Sequence, residues 1–241
     1  SMNILEVKNL TQRFGELAAV DRLSFEVKDG EVFGIAGPNG SGKTTLFNSI
    51  TGFYRYTGDV VFEGKSIAGL RPHQVCHRGI ARTFQVPQLF LTMTVLKNLQ
   101  VGAHFSKRHG VNEDDNIAEI VDFVGLHGKE NIVTSHLNLY DQKLTMLANA
   151  MTTKPKLLMV DEPIGGLSPT ETKDFLEIFK KINKELGITL VVIEHLMKFL
   201  TEISDRLMII HDGSRIALGL PKEVTQEKNV IDVYLGGGVN A

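Results

Sequence analysis

The residues Gly37-Pro38-Asn39-Gly40-Ser41-Gly42-Lys43-Thr44-Thr45 carry the spacing G-x-x-x-x-G-K-[ST]. A run of small residues lets successive backbone N–H groups turn inward around phosphate oxygens, and a helix starting there adds its partial positive charge. In such a loop Lys43 reaches the β- and γ-phosphates of a nucleotide, Thr44 offers a hydroxyl to Mg²⁺, and Thr45 supports it within the same helical turn. Further on, an unbroken apolar run from Leu157 closes on two carboxylates, Asp161 and Glu162. Asp161 can orient Mg²⁺, and Glu162 can polarise a water for in-line attack. Taken alone, two acids at a strand end read as a solvated terminus; a phosphate loop upstream changes their meaning. Gln85 closes a short strand over 79–85, and a buried strand over 189–193 delivers Glu194 and His195 to the same edge.

These side chains need a sheet that brings several strand ends together. Residues 31–36 read as a buried strand entering the loop and 45–51 as the helix leaving it, which is the context the motif requires. Apolar runs such as 157–160 and 189–193 are typical of central parallel strands covered on both faces, whose carboxyl ends are where open α/β sheets gather ligands. The first 65 residues add antiparallel strands: a short one at Leu5 and Val7, an alternating one at Leu23, Phe25 and Val27, and a hairpin over 58–65. Phe14 lies in a predicted turn over 11–15, where it either stacks on a base or packs under the turn. From Val86 to about Thr152 the period becomes helical, with helices over 94–105, 113–126 and 142–151 and a polar connector over 106–110. A helix ending near Leu186, a hairpin over 207–218 and a short polar tail complete the chain. The expected fold is α/β: a mixed sheet core with an antiparallel β subdomain and an inserted helical subdomain. Residues 1–85 and 153–241 form the core, and 86–152 form the lobe.

Composition narrows the function. The 26 Lys and Arg against 28 Asp and Glu give a net charge of −2 with scattered basic residues, so no nucleic-acid surface is expected. The single cysteine, Cys76, excludes an internal disulfide framework and fits a reducing compartment. No apolar run approaches a membrane span and no leader pattern is seen, which predicts a cytoplasmic protein. His73, Cys76 and His77 share a predicted surface helix, but no further ligands complete a metal site.

The order of the motifs resembles the nucleotide-binding subunit of an ABC transporter, with the P-loop NTPase fold of that family. Gly37-Pro38-Asn39-Gly40, the 79–85 stretch, Val95-Leu96-Lys97-Asn98-Leu99 and Gly166-Leu167-Ser168-Pro169 resemble the ATPase subunits of branched-chain amino-acid importers. Related urea and amide importers are similar. The resemblance implies ATP and Mg²⁺ as ligands and a head-to-tail pair of ATPase subunits, identical or paralogous. It also implies membrane-spanning permease partners at the cytoplasmic face of the membrane and, indirectly, an extracytoplasmic solute-binding protein. Carried over by position, Glu162 is the general base, His195 contacts the γ-phosphate, Lys43 binds phosphate, and Gln85 couples the site to the membrane partner. Thr44, Gln85 and Asp161 face the metal. The nucleotide set is Phe14, for adenine stacking, Val20, Gly37, Pro38, Asn39, Gly40, Ser41, Gly42, Lys43, Thr44 and Thr45. The stretch Val86, Pro87, Leu89, Phe90, Leu91 and Met93 lies near the groove that receives a permease helix, or else forms lobe core.

One motif departs. Where the family has Leu-Ser-Gly-Gly-Gln before the last lobe helix, this chain has Leu137-Asn138-Leu139-Tyr140-Asp141. Leu139 and Tyr140 add bulk, Asn138 can donate in place of serine, and Asp141 is expected to cap the helix itself. A carboxylate facing phosphate at about 4 Å costs from ~1 to ~4 kcal/mol. Three arrangements follow: a pair with a different ATPase subunit whose signature is intact, an identical pair that closes weakly, or a regulatory subunit that hydrolyses little.

Overall fold

The computed structural model describes residues 2–106 and 113–236. Strands β1 (Asn3–Phe14) and β2 (Leu17–Lys28) pair antiparallel along their whole lengths. Both outrun the sequence expectation, because register shifts let the ladder continue where the apolar alternation lapses. Residues 11–14, expected in a turn, belong to β1. After β3 (Val32–Ala36) and helix α1 (Lys43–Ile50) come β4 (Thr57–Phe62) and β5 (Lys65–Ser66), which join the first sheet in the order β2-β1-β4-β5.

Helix α2 (Pro72–Arg78) precedes the short strand β6 (Ile80–Arg82). Helices α3 (Val95–Ser106), α4 (Glu113–Val124) and α5 (Leu139–Thr152) follow, packing on one another through Leu99, Ala103, Ile117, Val121, Leu144 and Leu147. Most of the predicted polar connector lies outside the described residues. The chain then returns as β7 (Leu157–Asp161), α6 (Pro169–Leu186), β8 (Thr189–Ile193), α7 (Met197–Ile203), β9 (Arg206–His211) and β10 (Ser214–Gly219). The start of α6 follows from local chemistry: Ser168 and Glu171 form a reciprocal cap around Pro169.

The second sheet has the order β10-β9-β3-β8-β7-β6, parallel except for the β9–β10 hairpin. Period-two alternation divides its side chains between two cores. Phe33, Ile35, Met159, Val191 and Met208 meet Leu46, Phe47 and the β1–β2 sheet on one face. Leu158, Val160, Leu190 and Val192 meet Phe175, Phe179, Phe199 and Leu200 on the other. The expected polar tail is instead helical through Gly236: α8 (Pro221–Val224) starts on a proline at N1, and α9 (Lys228–Gly236) buries Val230. Pro221, Val224 and Val230 are buried and Tyr234 packs against the core, apolar anchors spaced among polar residues that composition hid. Among the described residues no helix is long and apolar enough to cross a membrane.

Candidate functional site

β3 runs into the glycine loop at its carboxyl end and α1 leaves it, so the N–H groups of the first helical turn open on a cleft of about 760 Å³. The loop's glycines are there because the chain comes very close to its neighbours. Gly42 has φ +104°, and a Cβ there would sit 2.3 Å from the Ala19 carbonyl oxygen; at Gly37 one would sit 2.2 Å from that of Ile210. Lys43 Nζ donates to the carbonyls of Gly37 and Pro38, both at 2.8 Å, and spans the loop. Burial pulls its ammonium below the usual range, while Glu162 and Asp161 hold it up.

Asp161 ends β7 almost fully buried, its side chain 2 % exposed. Its Oδ2 accepts from the Arg82 guanidinium at 2.9 Å, and its Oδ1 is a buried oxygen without a hydrogen-bond partner. Burial pushes this carboxyl up, Arg82 pulls it back, and Glu162 adds to the rise. Glu162 follows in the left-handed region at φ +43°, and its N–H donates to the Ile193 carbonyl at 2.9 Å. Such a conformation in a non-glycine residue is strained. Gln85 Nε2 donates to Glu162 Oε2 at 2.6 Å, and His195 Nδ1 lies 4.0 Å from the same oxygen. Beneath them Glu194 is fully buried and accepts from the N–H groups of Ile164 and His195, with burial pushing its carboxyl up. Lys143, from α5, donates to the Glu162 carbonyl at 3.3 Å.

The cleft is lined by Gly37, Pro38, Asn39, Gly40, Gly42, Lys43, Thr44, Thr45, Gln85, Glu162 and His195, so most of the predicted set converges. Ser41 is buried within the loop. Val20 is buried against the position a Cβ of Gly42 would take. Phe14 is 48 % exposed, is not among the lining residues, and meets the Tyr54 ring edge-on at 5.3 Å. Ala19 and Tyr234 line the cleft unannounced by the sequence. Tyr234 arrives from α9, its phenol pushed up to about 12 by burial. The donor types fit Mg²⁺: Thr44 and Gln85 line the cleft and offer a hydroxyl and an amide oxygen, while Asp161 is not among the lining residues and lies buried behind them with Oδ1 unpartnered; all three are hard oxygen ligands.

At the departed motif the structure corrects two expectations. Asn138 caps α5, accepting from the Asp141 N–H at 2.8 Å, so Asp141 is not the cap. The Asp141 carboxylate turns inward and takes Lys129 Nζ on both oxygens at 2.7 Å. Its charge is neutralised within the lobe and does not face outward. Leu139, 40 % exposed, is what the helix start presents. Val86, Phe90 and Leu91 are also exposed, which removes them from the lobe core.

The sequence pattern described as ABC transporter matches residues 20–165. The chain belongs to the ABC transporter family. Among its relatives are the high-affinity branched-chain amino acid transport ATP-binding proteins LivG of Salmonella typhimurium and BraF of Pseudomonas aeruginosa. Each is 36% identical, with 98% of this chain and 99% of the relative covered. The probable LivG of Archaeoglobus fulgidus is likewise 36% identical, with 98% and 96% covered. Among solved structures, an ATP-binding cassette of an ABC transporter in its ADP conformation superposes with a TM-score of 0.89. It is 34% identical, with 98% of this chain and 100% of that chain covered. A nucleotide-free cassette gives 0.88 at 33% identity, with 97% and 99% covered. The family fold is thus present with its mixed sheet, antiparallel sheet and packed lobe helices.

Proposed function

We propose that this chain is the ATP-hydrolysing subunit of an importer for branched-chain amino acids. It docks on membrane-spanning permease subunits at the cytoplasmic face, and an extracytoplasmic solute-binding protein delivers the solute. The convergence of Gln85, Glu162 and His195 on the glycine loop supports the chemistry, and the names of the relatives supply the solute. Residues 1–85 and 153–241 are assigned to the ATPase core and 86–152 to the lobe that faces the permease.

ATP is the substrate, with its phosphates in the loop. Lys43 exchanges the carbonyls of Gly37 and Pro38 for phosphate oxygens, so that the acceptor as well as the donor carries charge. Thr44, Gln85 and Asp161 would hold Mg²⁺, which when bound offsets the charge on the β- and γ-phosphates. Glu162, oriented by the Gln85 amide, accepts the proton of the attacking water. His195, whose Nδ1 lies 4.0 Å from Glu162 Oε2, would contact the γ-phosphate, and Phe14, exposed beside Tyr54, would stack on the base.

The variant signature favours a second ATPase subunit that is not identical. Asn138 has its side-chain oxygen committed to the cap and Leu139 projects, so this helix start offers a γ-phosphate less than a Ser-Gly-Gly turn does. The test is ATP hydrolysis by the purified chain alone and mixed equimolar with the ATPase subunit encoded beside it, with Glu162→Gln as control. Activity confined to the mixture and lost in the control supports the unlike pair; equal Glu162-dependent activity alone refutes it. Uptake of labelled leucine by vesicles carrying the full transporter tests the solute, and uptake of urea in its place would overturn it.

A further inference from the structure

A buried arginine that the proposed chemistry leaves unused joins three parts of the site. Arg82 ends β6 with its side chain 5 % exposed. One terminal nitrogen donates to Asp161 Oδ2 at 2.9 Å; the other donates to Asn48 Oδ1 at 2.5 Å and lies 3.3 Å from Thr51 Oγ1. Asn48 belongs to α1 and Thr51 is its C-cap residue, so one planar group ties the helix that begins with Lys43 and Thr44 to the strand that ends in Asp161. Aromatic rings surround that group, with centroids at 4.7 Å for Phe84, 5.5 Å for Phe47 and 6.0 Å for Phe53. Arg82, Phe53 and Phe84 also form a wall of a separate groove of about 300 Å³.

We infer that Arg82 is a positioning residue for the metal site, a reading that rests on the ATPase function proposed above. By holding Oδ2 it fixes the carboxylate rotamer and leaves Oδ1 as the unpartnered oxygen. By holding Asn48 at the same time it sets the separation between Asp161 and the Thr44 hydroxyl. A rigid fork with donors on both ends can do this; an ammonium, a single point charge, cannot hold both partners in one plane. Because Phe84 lies over the guanidinium one residue before Gln85 and four before Gln88, pressure on the groove wall reaches Asp161 through Arg82 as well as Glu162 through Gln85.

The test uses the full chain and trinitrophenyl-ATP fluorescence, titrated with and without Mg²⁺. Arg82→Lys keeps the charge and loses the bridge, and is expected to raise the half-saturating Mg²⁺ concentration about tenfold, as loss of an outer-shell partner typically does. Asn48→Ala releases one end of the fork without touching Asp161, and is expected to raise it about threefold. Nucleotide binding without Mg²⁺ is expected to stay within about twofold in both. In an Asp161→Asn background Arg82→Lys is expected to add no further Mg²⁺ effect, since its action runs through that carboxylate. An unchanged Mg²⁺ requirement in both variants, or equal loss of binding with and without Mg²⁺, overturns the inference. If Arg82→Lys fails to fold, Asn48→Ala decides alone. Failure of the unsubstituted chain to bind nucleotide is a separate result that overturns the ATPase reading itself.

Discussion

Replacing Lys129 by Met strips the Asp141 carboxylate of its counter-ion while keeping most of the apolar stem. The Asp141 side chain is 8 % exposed and that of Lys129 37 %, so water reaches the ammonium but hardly the carboxylate. Breaking a fully buried pair from one side costs about 3–5 kcal/mol because an unpaired charge stays behind. With one partner at the surface, about half of that applies, on the order of 2 kcal/mol. For a chain of this size the melting temperature should fall by about 4–8 °C. The reverse change, Asp141→Asn, leaves a lysine that solvent can satisfy and keeps a side chain of the same shape. Its cost should be at most about 1 kcal/mol, or about 2–4 °C. The double variant should match Asp141→Asn, because the lysine then has no charge to compensate. Thermal unfolding followed by far-ultraviolet circular dichroism, without nucleotide, reads all three. A Lys129→Met melting point within about 1 °C of the parent, or an Asp141→Asn loss as large as that of Lys129→Met, refutes the argument. The carboxylate would then face outward, as the bare sequence suggests.

Gly42→Ala forces a Cβ to 2.3 Å from the Ala19 carbonyl at φ +104°; it should abolish nucleotide binding in a fluorescence titration and lower the melting point. Lys43→Ala should weaken nucleotide binding at least about tenfold, the worth of one charge-assisted hydrogen bond to phosphate. Its melting point without nucleotide should stay within about 2 °C of the parent, because relief of a buried ammonium offsets two lost hydrogen bonds. Glu194 is a carboxyl with its folded-state pKa raised by burial, so between the unfolded and folded values the native state holds the extra proton and stability falls as pH rises. Urea denaturation across that window, upward from the ordinary glutamate range, should show a shallower decline for Glu194→Gln than for the parent.

The central strands, the phosphate loop and the lobe helices were legible because each has a local cause: apolar runs, glycines at fixed spacing and helical periods; α7, α8 and α9 fell outside what that pattern predicts. Asp161, Glu162 and His195 were legible as residues at or just past strand ends, whereas Gln85, expected to close a strand over 79–85, lies three residues beyond the shorter β6. The backbone turn at Glu162 was not, since nothing in its side chain marks a left-handed residue. Arg82 stood in plain view within the 79–85 stretch, and a cation on a short strand that opens with Ile80 and Ala81 was the available signal. Tyr234 gave none, because its place beside the loop depends on how α8 and α9 fold back. Lys129, in the loop after α4, and Asp141, in α5, are 12 residues apart, so only tertiary packing shows that one answers the other.

The sheet order also governs how this chain can be made. β3, which leads into the phosphate loop, lies between β8 and β9, and Gly30 donates to Thr189, 159 positions later. At roughly 5–20 residues per second of synthesis, the strand waits on the order of ten seconds or more for both of its neighbours. During that interval its apolar faces and unpaired edges are open to other nascent chains. Growth at lower temperature should raise the soluble yield, whereas truncation before β9, which removes one neighbour of β3, should lower it.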